Sequence, residues 1–94
     1  MVKKILKLSA SWCMPCHVYA RTFNAVKEDK KYKDIVFEEV DVDEHEDLAI
    51  KYSIRGVPTT VILGEEDKVL SKFSGNVPRA MLEKEIDKAN GQIS

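Results

Sequence analysis

The strongest constraint on the fold is a pair of cysteines, Cys13 and Cys16, which lie two residues apart and have no other cysteine to pair with. A disulfide scaffold of the kind that supports small secreted domains is therefore excluded, because any bridge must be local. A bridge that closes so short a loop stabilises a fold by only about 2 kcal/mol in the chain-entropy treatment. The 94 residues, 44% of them hydrophobic, must instead fold around an apolar core, and we expect one domain over residues 1–94.

The charge balance and the apolar runs exclude several classes of partner. Fifteen Lys and Arg residues stand against sixteen Asp and Glu residues, so the chain is not built to neutralise nucleic-acid phosphates. The longest purely aliphatic run, Val61 to Leu63, is far shorter than the roughly 18 apolar residues that span a bilayer or the ~7 to 15 of a secretory signal. We therefore expect a cytoplasmic monomer that binds neither nucleic acid nor a membrane.

Hydrophobic periodicity predicts alternating strands and helices in the first half of the chain. A short apolar strand over Val2–Ser9 precedes the cysteines, and from Cys16 onward apolar residues recur at the three- and four-residue steps typical of one buried helical face. A second strand follows over Ile35–Val42. Asp43 is then expected to be the N-cap of a brief helix that ends near Ser53. The two cysteines therefore lie where a strand is followed by a helix.

The second half of the chain predicts a hairpin and one more helix. Thr59–Leu63 and Val69–Phe73 are apolar or alternating runs separated by a turn, which is typical of two antiparallel strands. Pro78 opens a last helix, in which Met81 belongs to the buried stripe, and Gly91 ends it. The resulting order, βαβαββα, predicts an α/β sheet covered by helices.

The two cysteines occupy positions suited to thiol-disulfide exchange. Cys13 is expected near the N-cap of its helix, where backbone N–H groups and the positive end of the helix dipole favour a thiolate. Pro15 falls within the first turn and stiffens the junction without breaking the helix. Cys16, about one turn further on, should be more buried. An exposed Cys13 would then attack a substrate disulfide, and the shielded Cys16 would attack the mixed disulfide to release the product.

A second motif supports this chemistry. Residues 55–59, Arg-Gly-Val-Pro-Thr, place Pro58 at the entry to an apolar strand, where it cannot donate to the ladder. Together with Trp-Cys-Met-Pro-Cys at residues 12–16, this motif closely resembles the thioredoxin family, over nearly the whole chain. The resemblance implies a thioredoxin fold with a central four-stranded mixed sheet. Only twelve residues precede Cys13, so we expect a start that is trimmed relative to thioredoxins and is more like that of glutaredoxins.

The resemblance also implies roles for individual residues. In the family the first motif cysteine, Cys13 here, is the nucleophile and the second, Cys16, resolves the mixed disulfide. The family's cis-proline faces the dithiol, the residue before it lends its backbone to a substrate peptide, and a glycine after the hairpin leaves room for that peptide. We therefore place in the substrate-binding surface Trp12, Met14, Pro15, Val57, Pro58 and Gly75. Met14 stands where the family usually has glycine, and it puts a flexible apolar side chain beside the thiolate, so the redox potential stays open.

A further departure concerns two charges beneath the motif. Lys7 stands where the family has a buried aspartate in the strand before the motif, and Glu39 stands where the family has a lysine on the neighbouring strand. Two opposite charges that face each other across neighbouring parallel strands can pair. We therefore expect an ion pair between Lys7 and Glu39, with Glu39 as the proton acceptor for Cys16.

The function that the resemblance implies is reduction of protein disulfides by a dithiol-disulfide oxidoreductase. No bound cofactor and no metal are expected beyond the redox-active Cys13–Cys16 disulfide, and a reductase, an NADPH-dependent flavoprotein, would supply the electrons. One alternative is a glutaredoxin-like protein recharged by glutathione, although residues 74–77 lack the paired glycines and following Asp with which glutaredoxins hold glutathione. Another is a redox-silent binding module that uses the same surface to hold a partner.

Two other interpretations of the cysteines explain fewer of the surrounding residues. Only His17 and His45 could join them in a zinc tetrad, and the spacing fits no standard zinc pattern. The run from Cys13 to His17 also matches C-x-x-C-H, the signature of haem attachment. Haem attachment usually accompanies export, and the flanking residues are explained without it.

Overall fold

The computed structural model describes residues 1–91, in which four strands and three α-helices alternate. The elements are β1 (Lys4–Ser9), α1 (Met14–Lys27), β2 (Val36–Asp41), α2 (Glu46–Lys51), β3 (Thr59–Leu63), β4 (Val69–Ser74) and α3 (Arg79–Ala89). The predicted order βαβαββα is confirmed, and the last three residues of the domain expected over 1–94 lie outside the described residues. No helix within residues 1–91 has the length and apolar composition needed to cross a bilayer.

The four strands form one mixed sheet in the order β2-β1-β3-β4. β1 runs parallel to β2 and antiparallel to β3, and β3 and β4 form the predicted antiparallel hairpin. β1 and β3 are therefore the inner strands; β1 ends shortly before residues 12–16, and β3 begins at the end of residues 55–59. Because β1 and β3 are antiparallel, with Leu8 paired with Thr59, residues 12–16 and residues 55–59 lie at the same end of these two strands.

The core has two layers because side chains alternate along each inner strand. Ile5 of β1 packs on one face with Phe23 of α1 and Ile86 of α3. Leu6 and Leu8 face the opposite side and pack with a second cluster. That cluster is closed by residues from the segment around α2, namely Val42, Leu48, Tyr52 and Ile54. By the same alternation Lys7 lies on the face covered by α1.

Two local predictions are wrong. Asp43 does not cap α2, which begins at Glu46 and is preceded by His45 with no side-chain capping bond. The side chain of Asp41 instead accepts from the Asp43 N–H at 2.8 Å, so a turn separates β2 from the helix. Met81 is 40% exposed and not in the core, because the buried stripe of α3 passes through Leu82 and Ile86.

A buried hydrogen bond ties the helix that carries the cysteines to the central sheet. The hydroxyls of Tyr19 on α1 and Thr60 on β3 lie 2.7 Å apart, and both residues are fully buried. Burial raises the pKa of Tyr19, and the hydrogen bond with Thr60 partly opposes that rise. Tyr19 is therefore held neutral in the folded state at pH values where the unfolded chain begins to ionise it.

The free energy of unfolding of the wild-type chain should fall as the pH rises above the ordinary tyrosine pKa of 10.0. The free energy of unfolding of Tyr19→Phe should fall by less over the same pH range. At neutral pH we expect the variant to be less stable by about 1 kcal/mol, because Thr60 loses its partner. Only the wild-type chain has a phenol at position 19 that ionises on unfolding. The difference in free energy of unfolding between the wild type and Tyr19→Phe should therefore narrow at alkaline pH. Denaturant unfolding of the oxidised proteins at about pH 8 and about pH 11 measures both effects. A gap of constant size would contradict the assignment.

Candidate active site

The two cysteines form a disulfide at the N-terminus of α1. Cys13 is the N-cap residue, and its sulfur accepts a hydrogen bond from the backbone N–H of Cys16 at 3.2 Å. Pro15 lies in the first turn, as expected. The predicted N-cap position of Cys13 is confirmed, and there the N–H groups and the helix dipole stabilise a thiolate in the reduced protein.

The expected difference in exposure between the two cysteines is absent in this oxidised structure. Cys13 is 4% exposed and Cys16 is 3% exposed, because Ala10, Val42 and Val57 pack around the pair. The two sulfurs differ instead in what they face. The sulfur of Cys13 lies 3.7 Å from the carbonyl oxygen of Val57, whereas Cys16, and not Cys13, lines a cavity.

The loop that faces Cys13 is built around Pro58. The Val57–Pro58 peptide bond is cis, as the resemblance implies, and Pro58 is fully buried. The Thr59 hydroxyl donates to the Gly56 carbonyl at 2.7 Å and fixes the turn. These contacts hold the backbone of Val57 at the rim of the dithiol.

Gly75 completes this loop surface. Its N–H donates to the Pro58 carbonyl at 2.8 Å, and its φ of +99° is one that glycine adopts without strain. A Cβ built at this position would meet nothing within 4 Å. The space above Gly75 is therefore open.

Two large apolar side chains stand out from the surface beside the dithiol. Trp12 is 68% exposed and Met14 is 71% exposed. The indole N–H of Trp12 donates to the Asp43 carboxylate at 2.9 Å, which sets the orientation of the ring. Asp43 is thus a residue of the site that sequence reasoning assigned to a helix cap. Nothing in the local pattern could identify it, since 31 residues separate the partners.

The expected ion pair between Lys7 and Glu39 is present. The two residues are aligned in the parallel ladder, and the Lys7 Nζ lies 2.7 Å from a carboxylate oxygen of Glu39. The hydroxyl of Ser9 donates to the same oxygen at 3.4 Å. Lys7, Ser9 and Glu39 line the cavity of about 680 Å³ that Cys16 also lines. The pair therefore lies beneath the motif, on the side of Cys16.

The two histidines do not complete a metal site. His17 has its Nε2 2.9 Å from the Ser11 carbonyl oxygen, and both His17 and His45 line the cavity. Within residues 1–91 no group of three or more His, Cys, Asp and Glu side chains is arranged to hold a metal ion.

A cysteine pair joined as a disulfide at a helix N-terminus, facing a cis-proline loop on a mixed four-stranded sheet, defines a protein of the thioredoxin-fold class. The family model described as Thioredoxin matches residues 2–88. The chain is 39% identical over 72 residues to thioredoxin H5 of Oryza sativa subsp. japonica, covering 77% of this chain and 52% of that relative. It is 36% identical over 77 residues to the thioredoxin of Mycoplasmoides gallisepticum, covering 82% and 74% respectively.

Comparison with a solved structure supports the same family. The short form of thioredoxin f from spinach chloroplast superposes with a TM-score of 0.82 at 31% identity, covering 95% of this chain and 78% of that one. The chain belongs to the thioredoxin family, whose members are thiol-disulfide oxidoreductases. It spans about half to three quarters of the length of the two curated relatives described above.

Proposed function

We propose that this chain reduces protein disulfides through the Cys13–Cys16 couple. The observation that carries the proposal is the disulfide at the N-terminus of α1, with the Cys13 sulfur held next to the Val57 backbone. In the reduced protein, the Cys13 thiolate attacks one sulfur of a substrate disulfide, so that the substrate S–S bond breaks, a mixed disulfide forms and the other substrate sulfur leaves as a thiolate. The Cys16 sulfur then attacks Cys13, which leaves the substrate as a dithiol and the chain as a disulfide. Two electrons pass from the chain to the substrate.

The substrate would be held by the backbone of the loop beside the dithiol. Val57 offers its backbone for short β-pairing with an extended peptide, and the open space above Gly75 leaves room for that peptide. Trp12, Met14 and Pro15 extend this surface on the side of α1. Main-chain pairing of this kind suits a protein substrate whose cysteine lies in an extended segment.

Filling the space above Gly75 should weaken substrate binding. We expect Gly75→Ala to raise the KM for a protein disulfide about tenfold, with a smaller change in kcat. Gly91→Ala is the matched control, because Gly91 also has a positive φ, of +78°, and open space at its Cβ, but lies at the end of α3. Equal effects of the two substitutions on KM would show that backbone strain, and not the substrate surface, is responsible.

Glu39 is proposed to accept the proton of Cys16 when the mixed disulfide is resolved. Its carboxylate and Cys16 line the same cavity, and the hydroxyl of Ser9, the last residue of β1, lines that cavity too and donates to Glu39. Lys7 holds the Glu39 carboxylate in place through their ion pair. The charge-swapped pair would thus supply a base on the side of the dithiol that Cys16 faces.

The electron donor is proposed from the resemblance to the thioredoxin family. After each turnover the Cys13–Cys16 disulfide must be reduced again, and we propose an NADPH-dependent flavoprotein reductase as the electron donor. We also propose, from the resemblance to the thioredoxin family, that residues 1–94 act as one cytoplasmic, monomeric domain. Recharging by glutathione is the competing route, and purified reductase or glutathione can be supplied separately to distinguish them.

Replacing both cysteines by serine tests the proposed function. The wild-type chain, with dithiothreitol as the electron source, should reduce a denatured protein substrate that contains disulfides, and the double variant should have no activity above dithiothreitol alone. Because the short bridge contributes only about 2 kcal/mol, the double variant should still fold. Binding of a partner and biological function that both survive the double substitution would instead identify a redox-silent binding module.

A further inference from the structure

Lys7 enters the proposed exchange steps only as the partner that holds Glu39 in place, which does not account for its burial. Its side chain is only 3% exposed, which is rare for lysine. The ammonium contacts the Glu39 carboxylate and lies 5.5 Å from the centre of the Phe23 ring, so its stabilising partners are one carboxylate and one aromatic face. A charge buried to this degree acts on its surroundings with little screening by water.

The two charges of the ion pair are unequally buried. The Glu39 side chain is 62% exposed, against 3% for Lys7. Water therefore screens the negative partner much more than the positive one, and the pair presents a net positive field to the protein interior. Other ionisable groups also line the cavity, but each is exposed or half-buried: His17, Lys27, Asp41, Glu44 and His45. Lys7 is the buried charge of this cavity.

Cys16 lines the same cavity, so the disulfide lies at the edge of this positive field. Reduction by two molecules of a small thiol breaks the Cys13–Cys16 bond and joins the two small thiols in a disulfide, with two electrons transferred to the chain. Of the two protons released, one goes to Cys16 and the other goes to solvent, because Cys13 becomes a thiolate. The reduced state therefore carries a negative charge that the disulfide lacks.

We infer that Lys7 sets the redox poise of the couple by stabilising the reduced state, which makes the chain more oxidising than the same site without a buried cation. The inference rests on the proposed dithiol-disulfide couple. Lys7 acts here as a positioning charge and not as a group that touches substrate. The substrates that suit such a couple are disulfides of higher potential, which are the strained or exposed ones.

The test is the equilibrium of the Cys13/Cys16 couple with reduced and oxidised glutathione. Lys7→Met should shift the equilibrium constant about tenfold toward the disulfide, which is about 30 mV for a two-electron couple. Glu39→Gln should shift it the opposite way, because it removes the charge that partly cancels Lys7. Lys7→Arg should restore a value close to that of the wild type. These opposite signs separate an effect of charge from a loss of packing, which would shift both variants alike.

A second ion pair on the same two strands supplies the control. Lys4 and Glu38 lie 3.5 Å apart on the opposite face of the sheet, where both side chains are partly exposed. Lys4→Met and Glu38→Gln should leave the equilibrium constant unchanged. The inference would be overturned if substitutions in the Lys4–Glu38 pair shifted the equilibrium constant as much as those in the Lys7–Glu39 pair. It would also be overturned if Lys7→Met and Glu39→Gln shifted the equilibrium constant in the same direction.

The experiment distinguishes failure of the inference from failure of the proposed function. Should Lys7→Met fail to fold, Glu39→Gln decides alone, and the absence of a shift toward the dithiol overturns the inference. A wild-type couple that never exchanges with glutathione would overturn the proposed function together with the inference. A couple that exchanges normally and has one potential in every variant would overturn the inference only.

Discussion

Replacing Cys16 by serine should turn the chain into a trap that accumulates a mixed disulfide with its substrate. Cys13, the proposed nucleophile, remains at the N-cap of α1, where residue 16 still offers its backbone N–H, so we expect the first attack to proceed. Without the second sulfur, nothing in the chain can resolve the bond. Cys13→Ser should trap no substrate and should have lost essentially all turnover, because serine is a poor nucleophile at neutral pH.

Non-reducing gel electrophoresis, followed by mass spectrometry of the linked peptide, measures the trapped species. Iodoacetamide labelling of the reduced wild-type chain near neutral pH gives an independent measurement, in which Cys13 should react much faster than Cys16. Both cysteines are buried in the oxidised structure. The difference in labelling rate must therefore come from the thiolate at the N-cap of α1 and from the greater access to Cys13 once the disulfide is reduced. Trapping through Cys16 in Cys13→Ser would reverse the two roles.

Substituting glutamine for Glu39 should slow the resolution of the mixed disulfide about 100-fold and leave the initial attack nearly unchanged. General base catalysis typically contributes a factor of this size. Only the second step needs Cys16 deprotonated, and Cys16, not Cys13, lines the cavity that holds Glu39. Rapid mixing of the reduced chain with a chromogenic disulfide separates the two steps as two kinetic phases.

Glu38→Gln is the matched control for this experiment. Glu38 is the neighbour of Glu39 on β2, but it faces the other side of the sheet and pairs with Lys4. It should leave both phases at wild-type rates. If Glu39→Gln does the same, Cys16 loses its proton to water or to the departing substrate thiolate, and the swapped charges serve only the ion pair.

Interactions between residues that are close in sequence were predictable without a structure. Apolar residues at three- and four-residue steps placed α1, alternation placed the hairpin of β3 and β4, and Pro78 marked the start of α3. The N-cap position of Cys13 followed from the junction between strand and helix. Even the pairing of Lys7 with Glu39 was expected, since the family's pattern places these two positions opposite each other on parallel strands.

Errors arose where the decisive neighbour was remote in sequence or where several conformations suited the same residue. Asp43 is a good N-cap residue, and only the folded chain brings it to Trp12 and makes it a hydrogen-bond acceptor. Met81 fits the helical stripe, yet Leu82 and Ile86 form the buried face of α3 and Met81 is left partly exposed. Helical periodicity gives a face to within one residue, and packing selects which edge of that face is buried.

The sequence by itself determined the class of fold and the pair of sulfurs that does the chemistry, because capping, periodicity and the Cys-x-x-Cys spacing act over a few residues. Only the tertiary structure decided how the environment differs on the two sides of the disulfide. Cys13 faces the Val57 carbonyl across 44 residues of chain, and Cys16 faces the cavity of Lys7 and Glu39. The unequal burial of that ion pair depends on α1 covering one end of it, and no spacing in the sequence encodes that coverage. Burial sets how strongly water screens a charge, so the electrostatics of this site are a property of the folded chain.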